Sequence, residues 1–365
     1  MNTDTRDLNR RIVAKVAASL AEDLYDHDEV GVSLEKVRVE VVPGHDQFLA
    51  EVSLDDRNED GAVITVGLSF VASLRRAVAK LETGVDFDVA EDGTGELLIH
   101  PLLESALKWL ILHEAAHWTA GHLDTFRSGR SPARTSRLLA VENAIAGGNG
   151  ENDPPPIDAA RFKCMELEAD FIATQTLDLL YADEWMEDER AGLAARKHRD
   201  PGKPQWALSD KRRIVALASA MIILMVESIR QHGRPALTHP SPDARAINIM
   251  ITLYGQALIQ AGEVVEGSVR VRPRDAMHIR DLIGGLAGLF HIDLAPFAAS
   301  LGIAPIFGLP HRTTLIDADG DLVTMTATMH DMTLLLMDPN VAADEMRTEG
   351  AREYLELRAL HRLKL

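Results

Sequence analysis

Residues 112–123 read Leu-His-Glu-Ala-Ala-His-Trp-Thr-Ala-Gly-His-Leu, and no other stretch constrains the architecture of this chain as tightly. His113, Glu114 and His117 stand there in the pattern H-E-x-x-H. Residues four apart share one face of an α-helix, so both imidazoles can reach one metal ion only if this stretch is helical. Glu114 then projects beside them, where a carboxylate can take a proton from water that the ion activates. A catalytic site of this type needs a third protein ligand and an open fourth position, which a second element has to complete.

The surrounding sequence supplies the helix. Pro101 stands in a favoured first position, and Leu103, Leu107, Leu110 and Ile111 recur at helical spacing. This predicts an amphipathic helix running from Leu103 to His122, with Gly121 near its stop. Residues 123–157 contain Gly147-Gly148-Asn149-Gly150 and Pro154-Pro155-Pro156 and read as irregular. A second helix is expected from about Asp158 to Leu180.

Three candidates compete for the third ligand. A His six residues after the second is ruled out, because Ala120 and Leu123 occupy the positions that pattern reserves for Gly and His. His122 falls roughly 140° from His117 around a continuous helix and reads as a surface or outer residue. Asp124 lies beyond the helix and stays open. Glu166 is the strongest candidate, in Glu166-Leu167-Glu168-Ala169-Asp170 within an otherwise apolar run. Asp170 shares its face and can accept the distal N–H of a ligand imidazole, whereas Glu168, roughly 200° away, should point elsewhere. A metal ion would neutralise the carboxylate that this apolar face otherwise has to bury.

Elsewhere, Leu8 to Tyr25 has helical spacing. Val37 to Val41 and Leu49 to Leu54 alternate with period two around Gly44-His45-Asp46 and read as a hairpin, with Ala62 to Leu68 as a third strand. Helices are expected over Ile214 to Val226, Pro242 to Gln260 and Arg274 to Phe290, then a hairpin around Asp317 to Asp321 and a C-terminal amphipathic helix. That turn is no calcium loop, since Leu322 and Thr328 stand where Gly and Glu belong. The fold class is α+β, divided into a catalytic region 1–262 and an accessory region 263–365.

The formal charge of -18 and the lack of a dense Lys/Arg run exclude a nucleic-acid partner. Ile214 to Val226 is shorter than the about 20 residues that cross a bilayer, so no membrane insertion is expected. A single cysteine, Cys164, and a polar start suit a soluble cytoplasmic protein.

Taken in order, His-Glu-Ala-Ala-His-Trp-Thr-Ala-Gly-His, Glu-Leu-Glu-Ala-Asp and Thr-His-Pro-Ser-Pro-Asp-Ala-Arg resemble the gluzincin metallopeptidases of the HtpX and CAAX-prenyl-protease type. The match covers about Leu103 to Arg245. It implies a zincin-like fold, Zn²⁺ held by His113, His117 and Glu166, Glu114 as general base, and a protein or peptide substrate. It also implies that His239, with Arg245 nearby, stabilises an oxyanion, and that Ala62 to Val66 is an edge strand binding extended substrate. The compact motifs are similar as well to the soluble Lit-like phage-exclusion peptidases, which would change the substrate and not the chemistry. Two other classes compete: a zinc hydrolase of small amides, favoured if the Ala62 to Val66 edge is covered, and a non-catalytic protein with a structural zinc, favoured if a fourth protein ligand closes the site.

Overall fold

The computed structural model describes residues 3–26, 32–43, 50–55, 61–81, 89–91, 97–123, 159–181, 210–231, 239–261, 263–265, 268–270, 289, 294–304, 306, 312–316, 322–326, 331–332, 334–335 and 341–361. Asp124, Thr238, the Gly44 to Asp46 turn, the Gly/Pro-rich insertion, the Asp317 to Asp321 turn and nearly all of Arg274 to Phe290 lie outside these residues. The described residues are mixed α and β, mostly helical, with one three-stranded sheet and three two-stranded ones among them. Two compact units emerge, Met1–Leu180 with Met225–His239, and Tyr181–Leu224 with Pro240–Leu365.

The first unit opens with α1 (Thr3–Asp26), followed by β1 (Val37–Val42), β2 (Ala50–Leu54), β3 (Ala62–Gly67) and α2 (Leu68–Leu81). The short strands β4 (Val89–Glu91) and β5 (Leu97–Ile99) pair with each other, and α3 (Pro101–Thr119) and α4 (Ala159–Leu180) complete the set. The sheet order is β1-β3-β2, with β3 parallel to β1 and antiparallel to β2. Val37 to Val41 and Leu49 to Leu54 therefore do not form the expected hairpin; β3 lies between them. The composition of β3 explains this. Its run Ala-Val-Ile-Thr-Val-Gly is apolar at successive positions, as in a strand buried on both faces, whereas every residue of β1 is half-exposed. The expectation that Ala62 to Val66 is an edge strand is overturned for the same reason, since both its edges are paired.

α3 also departs from its expected character. From Leu102 to His117 it is buried at every residue except Glu104, so it is a central helix and not an amphipathic one. It packs on α1, α2, β2, β3 and most extensively on α4. His100 caps its start by accepting from Leu102 N through Nδ1 (3.2 Å) ahead of Pro101. Lys108, a buried cation of α3, is neutralised by Asp23 (2.8 Å) and Glu104 (2.9 Å).

α5 (Asp210–Gln231) begins in the second unit, and its residues from Met225 belong to the first. The second unit holds α6 (Pro242–Ala261), the strand pair β6 (Glu263–Val265) and β7 (Ser268–Arg270), α7 (Ala295–Ser300), the hairpin β8 (Arg312–Ile316) and β9 (Leu322–Thr326), and α8 (Glu349–His361). Ser241 caps α6 by accepting from Ala244 N (3.2 Å), and its own N–H donates to Glu353 of α8 (2.9 Å). Buried Asp331 accepts from Arg347 N (2.9 Å) and Thr348 N (2.7 Å) ahead of α8. Because α8 packs along α6, the boundary expected at residue 262 falls inside this unit. Among the described residues no helix is long and apolar enough to cross a membrane.

The packing of α8 on α6 depends on Gly350. A Cβ there would stand 2.4 Å from Asp243 Cβ and 3.1 Å from the Asp243 carbonyl carbon. Gly350→Ala is expected to lower stability by about 1–3 kcal/mol in urea titration, because the obstructing atoms are backbone and Cβ that cannot rotate away.

Candidate metal centre

The turn-by-turn spacing on α3 and α4 brings three donors together. His113, His117 and Glu166 are all buried and offer ligand atoms within 4.8 Å of one another. The His113 and His117 Nε2 atoms are 3.2 Å apart. Glu166 Oε1 lies 3.4 Å from His117 Nε2, and its Oε2 lies 3.6 Å from His113 Nε2. Ligands at the usual zinc distances, tetrahedrally disposed, are separated by about 3.3 Å, and each imidazole meets the carboxylate near that spacing, through a different oxygen of Glu166. The donor set fits chemically too. Two imidazole nitrogens facing each other beside a buried carboxylate form a nitrogen and oxygen donor set that a divalent cation can satisfy. The group can hold a metal ion.

Local electrostatics differ among the three donors. Burial alone would raise Glu166, yet the neighbouring His239 and the imidazoles of His113 and His117 hold it well below the usual carboxylate range. Burial pushes His117 down to about 4, leaving a neutral imidazole. Burial acts in the same direction on His113, but Asp170 and Glu166 outweigh it and raise it to about 9. His113 Nδ1 lies 3.0 Å from Asp170 Oδ1, at ion-pair distance although outside the angular range of a well-formed hydrogen bond. The Asp170 expected to orient a ligand imidazole thus faces His113, and Ala169 beside it is fully buried.

Glu114 stands beside the ligands without joining them. Its Oε2 accepts a hydrogen bond from Val52 N of β2 (3.0 Å), which ties the helix to the sheet. Burial raises Glu114 to about 7, with the charge of His113 and the Val52 N–H pulling it partly back. His239 Nε2 is 3.2 Å from Glu166 Oε2, and its ring packs at 5.8 Å from Phe162. Arg245 belongs to the second unit, buried in the first turn of α6.

Of the two placements expected for His122, at the surface or outside the ligand set, the structure shows the second, reached through a turn and not along a continuous helix. α3 stops at Thr119, and Gly121 follows in the left-handed conformation (φ 73°). Gly121 N donates to Trp118 O and His122 N to His117 O, both at 3.0 Å, the paired bonds of a Schellman motif. This reversal returns His122 over the last turn, with its Nδ1 2.8 Å from His117 Nδ1 and its Nε2 3.2 Å from Glu168 Oε2. A continuous helix would have carried it away. The sequence held a usable signal, because a Gly placed after the last helical turn puts the next residue back against the one five earlier.

Trp109, a fully buried core residue of α3, borders the site. Its ring stacks on His113 at 5.3 Å, and its Nε1 donates to Thr174 Oγ1 of α4 (3.0 Å) in a fully buried contact. Thr174→Val is expected to cost about 1–3 kcal/mol of stability by leaving the indole N–H unpaired, measurable by denaturant unfolding. Cys164 is buried in α4 with a free thiol. Comparison with protein-family models, curated proteins and solved structures finds no match for this chain.

Proposed function

We propose that this chain is a zinc-dependent peptidase of the gluzincin type its motifs resemble, hydrolysing peptide bonds with Glu114 as general base. The observation that carries the reading is the division of labour along one helix turn. His113 and His117 converge with Glu166, while Glu114, between them in sequence, is held apart from the ligand set by Val52 N–H. A non-catalytic zinc site closes with a fourth protein ligand, but among the described residues no further His, Cys, Asp or Glu joins the three.

His113, His117 and Glu166 would hold the ion, which supplies Lewis acidity toward a carbonyl and acidifies water. Glu114 accepts the proton of the attacking water and returns it to the leaving amine. His239, beside Glu166, is the candidate donor to the developing oxyanion.

The covered edges of β3 favour the small-amide reading as long as β3 is the platform. The outer edge of β2 restores a place for a peptide. β2 pairs only with β3 among the described strands, and Val52 N–H on its other side points at Glu114. An extended substrate added there would run alongside the base.

Two measurements test the proposal: zinc content of the purified chain, and a proteome-wide comparison of new peptide termini between wild type and Glu114→Gln. Zinc at one per chain with cleavage confined to wild type is expected. Protein that takes up no zinc when loaded, or identical termini in both samples, would overturn it.

A further inference from the structure

The two ligand histidines are oriented by different means. His113 faces the carboxylate of Asp170 directly, whereas His117 Nδ1 meets a second imidazole, His122, which in turn meets Glu168. We propose that His122 and Glu168 form a two-step relay that fixes the tautomer of His117 and so presents its Nε2 to the metal. The proposal rests on the metal-centre reading and is independent of peptidase activity.

The hydrogen-bond roles follow from the ends of the chain of contacts. Glu168, about two-fifths exposed, accepts only, so His122 Nε2 must donate to it. The proton of a neutral His122 is then on Nε2, and its Nδ1 is left as an acceptor. His117 Nδ1, 2.8 Å away, must therefore donate, which leaves the lone pair of its Nε2 pointing at His113 and Glu166. Both ligand histidines end with the same atom free.

The relay also follows from the backbone. Only a left-handed Gly121 lets the chain turn back far enough for His122 to reach His117, and the spacing of Glu168 on α4, two residues from Glu166, turns it away from the ligands and toward His122. One face of α4 thus holds the metal ligand and the partner of His113, and a neighbouring face holds the end of the relay to His117. His122 and Glu168 are positioning residues, since His122 meets the ligand His117 at the nitrogen turned away from the metal group and Glu168 meets His122.

The test uses the full chain labelled with ¹⁵N-histidine, first without metal. Long-range ¹H–¹⁵N spectra are expected to show His117 protonated on Nδ1 and His122 on Nε2. In His122→Phe and Glu168→Ala the His117 signal should move toward a tautomer mixture. Zinc affinity, from competition with a chromogenic chelator, should fall about 10–100-fold in His122→Phe, the usual cost of removing an outer partner, and less in Glu168→Ala. His122→Asn, whose carbonyl can still accept, should recover part of it. A merely structural role would change unfolding without changing the tautomer. The proposal is overturned if wild-type His117 carries its proton on Nε2, or if both folded variants bind zinc like wild type. Should His122→Phe fail to fold, Glu168→Ala, at a partly exposed position, decides alone. If the wild type takes up no zinc, the metal reading falls while the spectra still decide the relay.

Discussion

Glu114→Gln is expected to keep zinc at one per chain and to lower turnover roughly 10²–10⁴-fold, the usual contribution of a positioned general base. The substitution is chosen because it is nearly isosteric. A glutamine carbonyl can still accept the Val52 N–H, so the link between α3 and β2 survives, and the ligand atoms of His113, His117 and Glu166 are untouched. What disappears is the ability to take a proton. The loss should therefore appear equally in kcat and kcat/KM with KM unchanged, because proton transfer is an interaction of the transition state alone. The measurement is steady-state kinetics on a substrate found from the cleavage comparison, with metal content determined on the same samples. Retained turnover would remove Glu114 from the mechanism. Loss of zinc would instead make it a ligand, which its separation from the other three donors argues against.

The parts of this site that depend on one helix's own periodicity were legible in the sequence. His113 and His117 four apart, and Glu166 with Asp170 four apart, needed only the helical repeat to be placed on common faces. What was not legible arose where the repeat is broken or where pairing is non-local. His122 lies outside the ligand set as expected, but its contact with His117 depends on the left-handed Gly121, which ends the helix and turns the chain back. Glu168 turns away from the ligands as its helical spacing dictates, but the residue it meets is set by the Gly121 turn, which brings His122 to it. The strand order shows the other limit. Alternation in residues 37–41 and 49–54 is equally satisfied by pairing with each other or with a third strand, and the choice was made by the apolar run of β3, which is stable only between two neighbours. That choice moves the candidate docking edge from β3 to β2. The division of the chain likewise depended on α8 packing along α6 across nearly a hundred residues, a contact carried by Gly350 and invisible to local pattern.

Glu166→Ala is expected to abolish stable zinc binding, with affinity falling more than about 100-fold, beyond the upper end of what loss of an outer partner costs. The argument is electrostatic as well as geometric. Glu166 supplies the anionic donor of the set, and its carboxylate is held ionised among His113, His117 and His239 despite full burial. Alanine removes a bond to the ion and also the negative charge that offsets an ion taken out of water. Asp170→Asn provides the scale. An amide can still face His113 Nδ1 but without the charge, so affinity should fall about 10–100-fold and not further. The expected order of zinc affinity is therefore wild type equal to Glu114→Gln, then Asp170→Asn, then Glu166→Ala, read by chelator competition on samples whose circular dichroism matches wild type. Zinc retained at wild-type affinity in Glu166→Ala would move the third ligand elsewhere, to Asp124 or His239, and a triple comparison with Asp124→Ala and His239→Ala would then identify it. Zinc lost equally in Glu166→Ala and Glu114→Gln would mean that both carboxylates bind the ion, and the site would hold no free base for hydrolysis.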